Sequence, residues 1–210
     1  MTKQYLIACG ILVILGVGCS EPAATVESSS DVEAREAPAT DGQISPDNTS
    51  ISFLGTKPDG TKQPGGFAKF EGSFKMDGDS LASLQVEIDI ESLWTDEDRL
   101  TNRLTGHLKS VDFFDAKEFP LASFLSTAIS PGTGTGEYDV TGDLTMHGTT
   151  AEITFSVTVD DSAETILRGE FTIDRTAFGM NFRVEEIHKE VTVTIGPPSA
   201  ASPVATDPET

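Results

Sequence analysis

The chain has 210 residues, enough for one ordinary domain with a sizeable core and some residues to spare. Its 34 Asp and Glu stand against 14 Lys and Arg, a formal charge of −20. That balance excludes nucleic acid, whose phosphates are held by clusters of Lys and Arg, and an unaided electrostatic grip on anionic lipid. Apolar residues make up only 37%, so part of the chain is expected to lie outside the packed core.

At the N-terminus, Lys3 precedes an apolar run over residues 5–15, with Gly16 and Gly18 behind it. This is the layout of a secretory signal peptide over 1–18. The run is shorter than the roughly 20 residues that a membrane span needs. Both cysteines, Cys9 and Cys19, lie here, so no pair is left to staple a mature domain. Gly16-Val17-Gly18-Cys19-Ser20 resembles a bacterial lipobox, with Gly16 where leucine is usual. The reading is an exported lipoprotein: lipid on Cys19, and Ser20, which is not the aspartate of inner-membrane retention, pointing to the periplasmic face of the outer membrane. Residues 20–46 are rich in Ser, Ala, Pro and Glu with no apolar period, too polar to offset ordering entropy. They are expected to form a disordered tether of about 30 Å as a coil. Residues 197–210 have the same character, which leaves 47–196 as the domain.

Within 47–196 the pattern is alternation. Ile51 and Phe53 flank Ser52. Phe70, Gly72, Phe74 and Met76 alternate with polar residues, as do Leu84, Val86, Ile88 and Ile90. Tyr138, Val140, Leu144 and Met146 share one parity. So do Ile153, Phe155, Val157 and Val159, then Leu167, Phe171 and Ile173, and finally Val191, Val193 and Ile195. A period of two means strands with one apolar and one solvated face. Turn-rich stretches at 57–66, 77–80, 131–136 and 160–164 separate them. About eight antiparallel strands follow, in an all-β barrel or sandwich. Residues 121–129 carry apolar groups on both parities, so their facing stays open.

One segment departs from the alternation. Leu100, Leu104 and Leu108 fall at four-residue spacing behind Thr95 and the acids 96–98. This predicts a short amphipathic helix over about 96–109, capped by Thr95, with its acids at the positive end of the dipole.

Sites for chemistry are scarce. His107, His147 and His188 form no close pair, and the domain over 47–196 has no cysteine to complete a zinc site, so no metal is expected. No G-x-S-x-G is present, and the glycine-rich 132–136 lacks the Lys-Ser/Thr of a phosphate loop. The expectation is a protein that is not an enzyme and needs no cofactor. Arg175, in an apolar context, is expected to pair with a buried acid or to meet a ligand head group.

Five stretches together resemble the YceI-like family of periplasmic, lipocalin-like proteins. They are 50–53 (SISF); 72–74 (GSF) with 88–95 (IDIESLWT); 107–115 (HLKSVDFFD) with Phe119-Pro120; 142–150 (GDLTMHGTT); and 175–180 (RTAFGM). They run in the family's order. Where the family often has an acid before the helix histidine this chain has Gly106, and Thr49 stands where a histidine is often seen before the opening strand. The resemblance implies an antiparallel eight-stranded lipocalin-like barrel with an apolar tunnel that holds an isoprenoid, a polyprenyl or quinone-like lipid. A homodimer is implied by the family alone. An eight-stranded barrel is wide enough for one slender ligand. The expected wall is Phe53, Phe70, Phe74, Val86, Ile88, Leu144, Met146, Phe155, Val157, Phe171 and Ile173, with Phe178, Met180 and Phe182 at the mouth. Arg175, His107 and His147 are the candidates for head-group contact. Two other readings remain open: an envelope module with a filled core, and an enzyme acting on a small lipid.

Overall fold

The computed structural model describes residues 41–96, 103–160 and 166–198. The signal peptide, Cys19, most of the tether, Leu100 and the C-terminal tail lie outside the described residues. Among the described residues, eleven antiparallel strands form one sheet. They are β1 (Gly42–Ile44), β2 (Ser50–Thr56), β3 (Lys62–Phe67), β4 (Phe70–Asp77), β5 (Ser80–Asp89), β6 (Leu93–Thr95), β7 (Leu121–Pro131), β8 (Glu137–Met146), β9 (Thr149–Asp160), β10 (Ile166–Asp174) and β11 (Glu190–Gly196). Among the described residues there is one α-helix, α1, at Arg103–Leu108.

The hydrogen-bonded order is β1-β4-β5-β7-β8-β9-β10-β11-β2-β3-β6. Its two ends are tied by chain continuity. β3 runs through Ala68 and Lys69 into β4, and β5 runs through a 3-10 turn at Ile90–Ser92 into β6. Across that bend Ala68 N donates to Ser92 O at 3.2 Å and Asp89 N donates to Lys69 O at 3.1 Å. One long bent hairpin therefore lies on both sheet ends and carries the curl into a half-barrel. Counted as continuous ribbons, β3–β4 and β5–β6 are two of the eight expected strands. The extra strands arise where this hairpin breaks at its bend and from β1.

β1 corrects the expected boundary at 47. Ile44 is 3% exposed and pairs with Gly72, so the fold begins inside the segment read as tether. Gly42 admits it: a Cβ there would lie 2.0 Å from the ring of Phe74, so only glycine lets the strand cross that ring. Of the expected helix, Arg103–Leu108 lies within the described residues as α1, and 97–102 lie outside them. Thr95, the expected cap, is buried at the end of β6, with its hydroxyl 3.1 Å from that of Thr105.

The facing of 121–129 is settled by a bulge. The β7–β8 register shifts between Ser126 and Ala128. Ala122 and Phe124 point inward before it, while Ile129 packs on the core after it. One inserted residue reverses the parity, which is why both parities carry apolar groups. Leu121 and Leu125 are left facing out, 49% and 56% exposed.

The strands run up and down, so their connections gather at two ends. One end carries the β2–β3 turn, the α1 segment, the β8–β9 turn and residues 175–189. The other carries the turns after β4 and β7. The second end is solid: Phe74, Leu81, Val140, Val157 and Leu167 are all at most 4% exposed.

Candidate ligand cavity

The inward residues of the first end do not close on one another. They enclose a cavity of about 530 Å³, within the range of small-molecule pockets. Period-two alternation places apolar side chains on its wall from almost every strand: Phe53 from β2, Val86 and Ile88 from β5, Leu144 and Met146 from β8, Phe155 from β9, Phe171 and Ile173 from β10. Phe155 and Phe171 stack at 4.3 Å between centroids with 19° between planes, and Phe124 meets Phe155 at 5.2 Å. Opposite them, the Phe53 ring lies over Gly65, where a Cβ would come within 2.4 Å of it.

The roof is irregular chain. Leu104, His107 and Leu108 of α1, then Phe113 and Phe114, cover one side; Met180, Phe182 and Ile187 cover the other. His107 joins the two halves. Its ring meets Phe113 edge-on at 5.1 Å and Phe182 at 4.9 Å. Its Nε2 lies 3.0 Å from Asp112 Oδ2.

Arg175 anchors the second half. It is 4% exposed, just inside a 3-10 turn (Arg175–Phe178) whose N-cap is Asp174. Its Nε donates to His188 O at 3.1 Å, and its Nη2 to Phe182 O at 2.9 Å and Ile187 O at 3.1 Å; its Nη1 donates to Met180 O. The guanidinium also lies over the Phe113 ring, 5.8 Å from its centroid. The expected buried acid partner is replaced by backbone carbonyls, which suit a charge-assisted donor. Burial lowers the Arg175 pKa, while the neighbouring Asp174 charge acts in the opposite direction.

The cavity's polar wall is confined to this end: Thr56, Lys57, Gln63, His107, Arg175, Arg183, Glu186 and His188, apart from Ser52 on β2. Of the whole wall, Arg183, Glu186 and His188 are the exposed members, so they mark the opening. Arg183 Nη1 pairs with Glu186 Oε2 at 2.8 Å. His188 Nδ1 lies 3.1 Å from the Thr56 hydroxyl.

Five expected site residues lie off the wall. Phe74 and Val157 belong to the solid end, each 1% exposed. Phe70 is buried behind the bend of the long hairpin. Phe178, 1% exposed, packs into the core instead of the mouth. His147 sits in the two-residue β8–β9 turn with Gly148, at φ 52° and 68°, the left-handed pair of a type I′ hairpin. Its Nδ1 lies 2.9 Å from Phe178 O and its ring 5.2 Å from Phe119, so it ties turn to turn. Several wall residues were not singled out beforehand, among them Leu84, Phe124, Ile153 and Val193. Leu84, Ile153 and Val193 share the parity of their neighbours, which was the available signal; Phe124 was hidden by the bulge. Among the described residues, no three His, Cys, Asp or Glu side chains gather as a metal site.

The profile of the YceI-like domain matches residues 43–196. The chain belongs to the YceI family. As a YceI protein it is 37% identical over 108 residues to a UPF0312 protein of Pseudomonas putida GB-1, covering 50% of this chain and 54% of that one. It is 36% identical over 92 residues to a UPF0312 protein of Vibrio vulnificus YJ016, covering 44% and 47%. The chain thus spans about half the length of the curated relatives it matches. Among solved structures it is similar to BcnA of Burkholderia cenocepacia, with a TM-score of 0.63 and 29% identity over 71% of this chain and 94% of that one. It also shares its fold with a polyisoprenoid binding domain from Saccharophagus degradans implicated in plant cell wall breakdown. There the TM-score is 0.59 and the identity 16%, covering 76% and 97%.

Proposed function

We propose that this YceI protein binds one isoprenoid or similar amphiphilic lipid and sequesters or carries it outside the cytoplasm, anchored to the envelope through lipid on Cys19. The observation that carries this reading is the contrast within one barrel. The inward side chains Phe53, Leu144, Ile153, Phe171 and Val193 are only half-buried, while Phe74, Val140, Val157 and Leu167 toward the opposite end are almost fully buried. Apolar side chains that face a cavity gain the full hydrophobic effect only when an apolar group packs against them. A chain that transfers ten methylenes into that space gains on the order of 8 kcal/mol before ordering costs.

The polar wall residues support binding over catalysis. His107 is committed to Asp112 and to two aromatic rings, and Arg175 to four carbonyls. Both hold the roof in place, and the reading needs no catalytic step. The fold shared with a polyisoprenoid binding domain agrees with it.

The test is organic extraction of protein purified from its own envelope without detergent, followed by mass spectrometry. The expected result is one polyprenyl or quinone-like species per chain. Extracts with no stoichiometric lipid would overturn the reading.

A further inference from the structure

We propose that the loop end of the barrel, where the roof segments lie, docks on the surface of a phospholipid bilayer and grips it with Val111 and Val184. The docking concerns the outer surface and stands whether or not the interior holds a ligand.

Among the described residues four large apolar side chains are exposed: Val111 at 73%, Val184 at 43%, and Leu121 and Leu125 on β7. The two valines occupy equivalent places. Each is the second residue of a turn closed by a backbone hydrogen bond. Phe113 N donates to Ser110 O at 3.0 Å around Val111, and Glu186 N donates to Arg183 O at 2.9 Å around Val184. Arg183 enters its turn with φ at 44°, the left-handed region that side chains other than Asn and Asp seldom adopt. Turn corners usually carry Pro, Gly, Asn, Asp or Ser. The turn after β2 follows that rule with Pro58-Asp59-Gly60, and the turn after β4 with Gly78-Asp79. Val111 and Val184 break it without being packed, and sequences break local rules chiefly where a function requires it.

The two corners are held as one unit. The rings of Phe113 and Phe182, each two residues from a valine, meet at 5.4 Å between centroids. Arg175 ties the same pair, donating to Phe182 O at 2.9 Å with its guanidinium over the Phe113 ring. Little ordering is left for binding to supply.

Charge selects the partner. The loops of this end, residues 57–62, 103–119 and 181–189, hold seven Lys and Arg and six Asp and Glu; the other described residues hold four and seventeen. A bilayer with anionic lipid repels the acidic body and leaves the charge-balanced end as the side of approach. The grip itself is apolar, with Lys57, Lys62 and Arg103 free to extend their stems toward phosphates around it. A second copy of this chain fits less well. It brings the same acidic excess, and two valines fall far short of the roughly 1,000 Å² that a stable pair buries.

The test is tryptophan quenching by vesicles of phosphatidylcholine and phosphatidylglycerol whose acyl chains are brominated near the headgroup. The full chain is used as Val111→Trp, Val184→Trp and Leu125→Trp, with the parent, whose single tryptophan is Trp94 on β6, as background. Quenching above the parent is expected for the substitutions at 111 and 184 and not for the one at 125, which faces out along the side of the barrel. An acyl group on Cys19 would bring all three variants equally close to the vesicle, so it does not mimic this contrast. Equal quenching of all three, or of none, would overturn the docking. So would quenching of none together with a doubled mass in sedimentation, the outcome expected of a second copy on this face. In a second arm, Val111→Asp combined with Val184→Asp is expected to slow the transfer of cis-parinaric acid from vesicles about tenfold, with uptake of the free probe unchanged. An unchanged transfer rate would count against the docking. Failure of the parent to take up free probe would overturn the lipid-binding reading and leave the quenching contrast to decide the docking.

Discussion

Arg175 Nη2 donates to the carbonyl of Phe182 at 2.9 Å, and through this bond a buried cation holds one half of the cavity roof. The same guanidinium holds Met180, Ile187 and His188 by their carbonyls. A lysine keeps the charge but offers one compact ammonium in place of a planar fork. Arg175→Lys is therefore expected to cost about 3 kcal/mol of stability in urea denaturation, since buried carbonyls lose charged donors. It is also expected to weaken ligand retention, measured as a faster off-rate of a bound apolar probe. A variant with unchanged stability would show that the roof does not depend on this residue.

The division of the barrel into a hollow and a solid end makes opposite predictions for one substitution type. Ile153 borders the cavity, while Val140 is 0% exposed in the packed end. Ile153→Trp has empty space to enter, so its stability is expected to stay within about 1 kcal/mol of the parent while binding falls. Val140→Trp overpacks a dense core and is expected to cost about 3 kcal/mol or more. Thermal denaturation of the two variants checks the contrast.

Much of this arrangement was legible in the sequence. The alternation at Ile153, Phe155 and Val157 fixes a strand and its inward face, and the five family stretches fix the barrel. Alternation does not say whether an inward residue meets a neighbour or a void. Phe74 and Phe171 look alike in sequence, yet the first crosses Gly42 in a filled core and the second faces the cavity. That difference depends on how far apart opposite walls stand, which is a property of the curled sheet as a whole. β1 was missed because Ile44 is an isolated apolar residue among polar ones, and the β7 bulge because one inserted residue leaves no composition signal. The partners of Arg175 are carbonyls, which every residue has, so no side-chain pattern announces them.

Asp174 gives the fold a specific acid sensitivity. Its carboxylate accepts from the Thr176 hydroxyl at 2.6 Å and the Thr176 N–H at 2.9 Å, and lies 3.0 Å from Lys189 Nζ. These partners, the Thr176 hydroxyl first and Lys189 next, hold its pKa below the ordinary 3.8, at about 2. Because the folded value is the lower one, the stabilisation is complete above the ordinary carboxylate range. It is lost as the pH falls through the interval toward 2. Asp174→Asn is therefore expected to flatten the loss of stability between pH 4 and 2. Thr176→Val is expected to move the Asp174 titration upward. Urea midpoints across that pH range, with the carboxyl carbon followed by NMR, check both.

The interior beneath α1 and residues 175–189 is an apolar hollow that takes up one chain. Equilibrium titration of the delipidated protein with cis-parinaric acid, followed by fluorescence, tests it most directly. Saturable uptake of one probe per chain, greatly weakened in Ile153→Trp, is the predicted result. Absence of saturable uptake, or uptake equal in the parent and in that folded variant, would contradict it.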